Sequence, residues 1–346
     1  MPDPTLVGTR SATGSIKILF QKLISQDTPF KTPYPVLAIA DVADDGTVNY
    51  IDNRDYLRRE IARSETQSIL LYIHGILGDT VAMARSSHPN QRNLIAPNLL
   101  RDYDLILTFD YENLNTRIQD VASDLKQRLA DVGLGADHGK TLHIVAHSMG
   151  GLVSRWFIER EKGNQVVQKL VMLGTPNGGS PWPSLQDWAF SLLGIGLNGL
   201  SGFAWPAEAF GSLLGVIESG DVTLDQMMAN SDFLRDLKLS GDPNVPYYLL
   251  AGNTSLMDAA LQITPGESTS PLQRLLQKLR PRSILHDVAG LAFWHQPNDI
   301  ASSVASVSNV PMQRNPVPNI QQVASDHVSY FMVKSSLDAL KEVLEK

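Results

Sequence analysis

From residue 69 onward the chain sets short apolar runs against longer stretches of helical periodicity. The runs are ILLYI (69–73), LILTF (105–109), LHIVA (142–146), KLVML (169–173) and YYLLA (247–251). Unbroken apolar runs of this length, without alternation, predict strands buried on both faces of a parallel sheet. Between the second and third runs, NTRIQDVASDLKQRLADVG puts Ile118, Val121, Ala122, Leu125 and Leu129 on one helical face and stops at Gly133. Strands alternating with helices predict right-handed crossovers and a mostly parallel α/β sheet flanked by helices. Ligands of such sheets bind beyond the carboxyl ends of the strands. Residues 1–66 read differently. There YPVLAIADVADDGTVNYI predicts two strands about an Asp-Asp-Gly turn, an antiparallel extension at one sheet edge. No internal repeat or linker interrupts residues 1–346, so a single domain is expected, with insertions at 176–244 and 253–295. The second insertion carries LQRLLQKLRPR, which reads as a surface helix.

Composition narrows this picture in three ways. A content of 43% hydrophobic and 19% charged residues is that of a globular chain with a sizeable core. The net charge of −7 argues against nucleic acid as an electrostatic partner. The absence of cysteine excludes disulfides and thiolate metal sites. MPDPTLVGTRSATG has no apolar signal-peptide core, so a cytoplasmic location is expected.

The chemistry begins at HIVAHSMGGLVSR (143–155), where a serine ends an apolar run and opens an amphipathic helical pattern. Ser and Gly make ordinary turns. A serine held on a sharp strand-to-helix bend, with its hydroxyl clear of the backbone, is instead a nucleophile. Such a bend needs small residues two places before and after the serine, and Ala146 and Gly150 stand there around Ser148. The following helix N-terminus offers free N–H groups to a developing oxyanion. His147, beside the serine, is expected to point to the opposite side of the strand end and to be structural.

A nucleophilic serine needs a base, and the base needs an orienting carboxylate. Near the chain end lie QPNDIASSVASV and QQVASDHVSYF. His327 follows IQQVA, a short extended segment suited to a final strand, and Asp299 precedes it by 28 residues. Asp258 and Asp287 compete as the acid, and His286 and His295 as the base. The chain order Ser, Asp, His found with elbow serines favours Asp299 and His327.

HGILG, AHSMGG, LGTPNGGS, PNDIASSV and DHVSYF follow one another over roughly residues 69–331 in an order that resembles α/β-hydrolase serine lipases and esterases. The likeness is strongest to the bacterial triacylglycerol lipase and GPI-inositol-deacylase-like branch. The resemblance implies an α/β-hydrolase fold with Ser148 as nucleophile, Asp299 as acid and His327 as base. It also implies an oxyanion hole built from the backbone amides of Ile76 and Met149, and His74 is expected to anchor the loop that carries the first. Where the family often reads Asp-Gly-x-Val at the acid, this chain has Asp-Ile-Ala-Ser. No metal or organic cofactor is required.

An insertion follows LGTPNGGS. Residues 181–217 hold two charges, Asp187 and Glu208, where the chain average of 19% would place about seven. The stretch 188–207 reaches the length of a membrane span. A single span there would leave Ser148 on one side of a bilayer and Asp299 with His327 on the other, so an apolar helical lid over the site is expected instead. Trp182, Trp188, Trp205 and Phe203 are its candidate substrate contacts, and a peripheral membrane contact through the lid is a weaker expectation. The expected substrate is a small-molecule ester with an apolar, lipid-like acyl group. Acyl transfer, amide hydrolysis and non-catalytic lipid binding on the same fold are the alternatives.

Overall fold

The computed structural model describes residues 8–9, 34–76, 80–88, 102–112, 116–179, 222–256, 296–299, 301–327 and 329–346. Nine strands among them form one sheet: β1 (Gly8–Thr9), β2 (Val36–Val42), β3 (Val48–Ile51), β4 (Ser68–Ile73), β5 (Leu105–Asp110), β6 (Thr141–His147), β7 (Lys169–Leu173), β8 (Tyr247–Gly252) and β9 (Asn319–Val323). Their spatial order is β1-β3-β2-β5-β4-β6-β7-β8-β9. From β5 to β9 every neighbouring pair is parallel, while β2 joins β5 antiparallel and turns back into β3.

The unbroken apolar runs have a direct cause. Successive residues of a strand face opposite sides of the sheet, and both sides here are covered. On β4, Ile69, Leu71 and Ile73 enter one core while Leu70 and Tyr72 enter the other. The first core is closed by α1 (Arg54–Ala62), α3 (Ile118–Asp131), α4 (Met149–Arg160) and α6 (Asp232–Lys238). The second is closed by α2 (Val81–Arg85) and by α8 (Lys334–Glu345), which contributes Ala339, Leu340, Val343 and Leu344. Buried Lys169 on β7 ties α8 down by donating to the carbonyls of Val343 and Leu344 at 3.1 and 3.0 Å. Two short helices, α5 (Val222–Gln226) and α7 (Val304–Val307), complete the described α-helices.

One expectation needs adjustment. The helix after Ser148 is not amphipathic: from Met149 to Phe157 only Trp156 escapes burial, because α4 is enclosed by the sheet, α3 and α6. The final strand β9 is largely exposed, since among the described residues it has a strand neighbour on one side only. That position explains why its sequence lacks the apolar run of the inner strands. The described C-terminal part of the 176–244 insertion is helical and packs into the first core through Met227, Phe233 and Leu237, with Phe233 stacked on Trp156. Residues 181–217, including Trp182, Trp188, Trp205 and Phe203, lie outside the described residues, as does most of 253–295. Among the described residues no helix is long and apolar enough to cross a membrane.

Candidate active site

The loops that leave the carboxyl ends of β4, β6, β7, β8 and β9 converge at one end of the sheet, where ligands of parallel α/β sheets bind. Ser148 sits at the end of β6 with φ 52° and ψ −127°. A serine at positive φ is uncommon and costs on the order of 1–3 kcal/mol, so the surrounding packing has to hold it there. The Ser148 N–H donates to the Leu173 carbonyl at 2.9 Å, and the Gly151 N–H closes the bend on the Ser148 carbonyl at 3.0 Å. Behind the bend, a Cβ on Gly150 would lie 2.4 Å from the His74 carbonyl oxygen, so only glycine lets helix and strand approach this closely. In front, a Cβ on Gly75 would lie 2.5 Å from Ser148 Cβ and 3.1 Å from its Oγ. The loop after β4 therefore rests directly on the serine.

His327 and Asp299 reach the same point from the loops on either side of β9. His327 Nε2 lies 2.9 Å from Ser148 Oγ, and His327 Nδ1 lies 2.8 Å from Asp299 Oδ2. All three side chains are buried. Asp299 is held on both oxygens. Its Oδ1 accepts the amides of Ala301 and Ser302 at 3.0 and 2.6 Å, and its Oδ2 also accepts the Tyr330 hydroxyl at 2.9 Å. The His327 N–H donates to the Asp299 carbonyl at 2.8 Å, which locks the two loops together through their backbones. With Asp299 as acceptor at Nδ1, the imidazole carries its proton there and presents the Nε2 lone pair to the serine. The competing residues Asp258, Asp287, His286 and His295 lie outside the described residues.

Met149 is the first residue of α4, so its N–H has no acceptor within that helix. Ile76, buried, directly follows Gly75 in the loop that touches the serine. His74 fixes that loop. Its Nδ1 donates to the Gly75 carbonyl at 2.7 Å while its Nε2 accepts the Tyr111 amide at 3.2 Å, an assignment that makes the ring neutral. Tyr111 stacks on the imidazole at 4.4 Å and donates its hydroxyl to the His74 carbonyl at 2.7 Å.

His147 corrects an expectation. It does not point away from the serine's partners: its Nε2 donates to the His327 carbonyl at 2.8 Å, and the two rings lie 4.8 Å apart. Burial, and then the His327 ring beside it, push the His147 pKa down to about 3. It therefore stays neutral near pH 7 and adds no charge next to the base. Tyr330 is a residue of the site that reading the sequence misses. Its three-residue spacing from His327 was visible, but a buried tyrosine signals only that its hydroxyl has a partner, not which one.

Beneath the site, α4 carries a buried ionic cluster. Glu159 accepts Arg155 Nε at 2.8 Å, both terminal nitrogens of Arg314 at 2.7 and 2.6 Å, and the Tyr247 hydroxyl at 3.0 Å. Arg155 continues to Asn177 Oδ1 at 2.9 Å, and Asn177 donates to the Val307 carbonyl at 2.7 Å. Burial alone would raise the Glu159 pKa, but Arg155 and Arg314 outweigh it and hold the carboxyl below its ordinary value. The cluster ties the serine's helix to the loop after β7, to β8 and to the segment preceding β9.

The chain belongs to the family described as domain of unknown function DUF7379, whose model matches residues 39–345. No curated protein matches its sequence. Among solved structures, the chain is similar to the lipase BlEst2 of Bacillus licheniformis in mature form. That match has 17% identity, covers 82% of this chain and 92% of that one, and has a TM-score of 0.47. It is also similar to a thermophilic esterase from Thermogutta terrifontis, at 13% identity, 81% and 89% coverage and a TM-score of 0.41. Phospholipase PlaB from Legionella pneumophila matches at 16% identity, 69% and 45% coverage and a TM-score of 0.41. At identities this low, the chemistry is read from the site's own geometry.

Proposed function

We propose that the protein is a serine hydrolase of the α/β-hydrolase type that cleaves carboxylic esters with an apolar acyl group. The observation that carries this reading is the unbroken hydrogen-bond chain from Ser148 Oγ through the His327 ring to Asp299 Oδ2, at 2.9 and 2.8 Å, on a serine at positive φ. In this reading His327 takes the Ser148 proton as the hydroxyl oxygen attacks the ester carbonyl. The amides of Ile76 and Met149 hold the tetrahedral oxyanion. His327 then protonates the leaving alkoxide, so the alcohol departs and an acyl-serine remains. Water, deprotonated by the same imidazole, attacks the acyl-serine and releases the acid with Ser148 restored. Asp299 keeps the imidazole in the required tautomer and stabilises the imidazolium. The preference for an apolar acyl group rests on the near absence of charge in residues 181–217, which we assign to a lid with Trp182, Trp188, Trp205 and Phe203 as acyl contacts.

A fluorophosphonate probe tests the class, and a chain-length series of p-nitrophenyl esters tests the acyl preference. Stoichiometric labelling at Ser148, with kcat/KM rising from acetate to longer acyl chains, is the expected result. Folded protein that reacts with neither reagent set would sink the reading. Turnover should fall on acidification, because a protonated imidazole cannot accept the serine proton.

Gly75→Ala examines the oxyanion loop separately. The added methyl would sit 2.5 Å from Ser148 Cβ, so the loop must retreat and take the Ile76 amide with it. Loss of one oxyanion donor predicts a fall in kcat of about 10²-fold with little change in KM. An unchanged kcat in the folded variant would remove Ile76 from the mechanism.

A further inference from the structure

We propose that Tyr330 is a positioning residue that sets how strongly Asp299 draws on His327, because its hydroxyl shares one carboxylate oxygen with the imidazole. The proposal rests on the triad reading above and deepens it. Four donors saturate the Asp299 carboxylate. Two are backbone amides on Oδ1, fixed by the turn at Ala301 and Ser302. The other two meet on Oδ2: the His327 ring at 2.8 Å and the Tyr330 hydroxyl at 2.9 Å. Two donors on one oxygen compete for the same charge, so whatever strengthens one bond weakens the other.

The tyrosine is built to hold that bond. The Gly252 N–H donates to its oxygen at 2.6 Å, which directs the hydroxyl proton toward Asp299 and polarises the O–H bond. Both the ring and the carboxylate are fully buried, so no bulk water stands ready to replace the hydroxyl. Two glycines clamp the side chain: a Cβ on Gly174 would lie 2.8 Å from Tyr330 Cε2, and one on Gly252 would lie 2.6 Å from its Oη. Burial and then the Asp299 charge hold the phenol well above its ordinary pKa, so it keeps the proton that it donates.

Among the described residues, three further groups and the serine stand near His327. His147, packed on it from the end of β6, is neutral near pH 7. Asp326 precedes it on the same loop and is buried there, and Ser148 faces its Nε2. His74 is engaged by the Gly75 carbonyl and the Tyr111 amide. Among the described side chains, Tyr330 shares the carboxylate oxygen that His327 binds, which places it to moderate the Asp299–His327 bond directly.

The effect is read most cleanly without turnover. In Ser148→Ala protein, the nitrogen-15 NMR titration of His327, assigned with His327→Gln, should move up by about 0.5–1 pH unit on Tyr330→Phe. In the active enzyme the acid limb of kcat/KM should move up in parallel. Replacing Tyr330 with 3-fluorotyrosine, a stronger donor of nearly the same shape, should move both downward. Opposite shifts from the two replacements support the proposal. No shift in either, or shifts in the same direction, overturns it, since simple loosening of the pocket has no reason to change sign. If Tyr330→Phe does not fold, the fluorotyrosine protein decides alone: a downward shift supports the proposal and an unmoved titration overturns it. Wild-type protein that neither turns over esters nor takes the probe would defeat the hydrolase reading, while the His327 titration still judges Tyr330.

Discussion

Ser148→Ala is expected to lower ester turnover by roughly 10⁴–10⁶-fold while leaving the fold in place. The size follows from what is removed. Without the hydroxyl no acyl-serine forms, and only substrate binding and the oxyanion donors remain to accelerate direct attack by water. The packing around position 148 survives, because the atoms nearest Gly75 and Gly150 are Ser148 Cβ and backbone atoms, with the hydroxyl oxygen farther from Gly75 than the Cβ that alanine keeps. Alanine occupies the same positive φ at similar strain, so the unfolding midpoint should stay within a few degrees of wild type. Progress curves with a p-nitrophenyl ester, together with circular dichroism and a thermal melt, check both halves. Turnover above one hundredth of wild type would assign the nucleophile elsewhere.

Glu159→Ala should be among the most destabilising single substitutions in the described residues. The carboxylate is fully buried and is the common partner of Arg155 and Arg314, whose side chains are also buried. Its removal leaves two guanidinium groups with like charge and no anion between them, and also takes an acceptor from the Tyr247 hydroxyl. Breaking a buried ion pair on one side costs about 3–5 kcal/mol. Urea unfolding at pH 7 should show a loss of that order. The pH dependence has a definite sign. The Glu159 pKa is depressed in the folded chain, so its contribution is fully present above the unfolded value of about 4.3 and is lost as pH falls through the lower folded value. The gap between wild type and variant should therefore be widest near neutrality and shrink toward pH 3. A gap that does not change with pH would mean that packing, not charge, accounts for the loss. Replacing all three charged residues by apolar ones of similar volume should cost far less than removing Glu159 alone.

The sequence and the structure agree where the signal is local or periodic. Inner strands were legible because two covered faces leave no place for polar residues, and Ser148 was legible because its bend demands small neighbours at fixed offsets. Asp299 and His327 could be nominated by chain order, with rivals left open. The rest depends on contacts that no local pattern encodes. Arg314 meets Glu159 across 155 residues, and nothing around either marks the other. Arg155 and Glu159 are four apart on a helix, a spacing that on a solvent-facing surface would be an ordinary exposed pair. Nothing in the sequence indicates that Tyr330 shares an oxygen with His327, or that His147 bonds the His327 carbonyl 180 residues away.

The backbone link between His327 and Asp299 has a mechanical consequence. The imidazole and its carboxylate both ride on the segments flanking β9, the last strand of the sheet, whereas the serine is fixed to an inner strand. Fraying of that margin would carry the acid–base couple away as a unit, separating nucleophile from base without parting base from acid. Amide exchange in β9 then becomes a measure of how often the site stands disarmed.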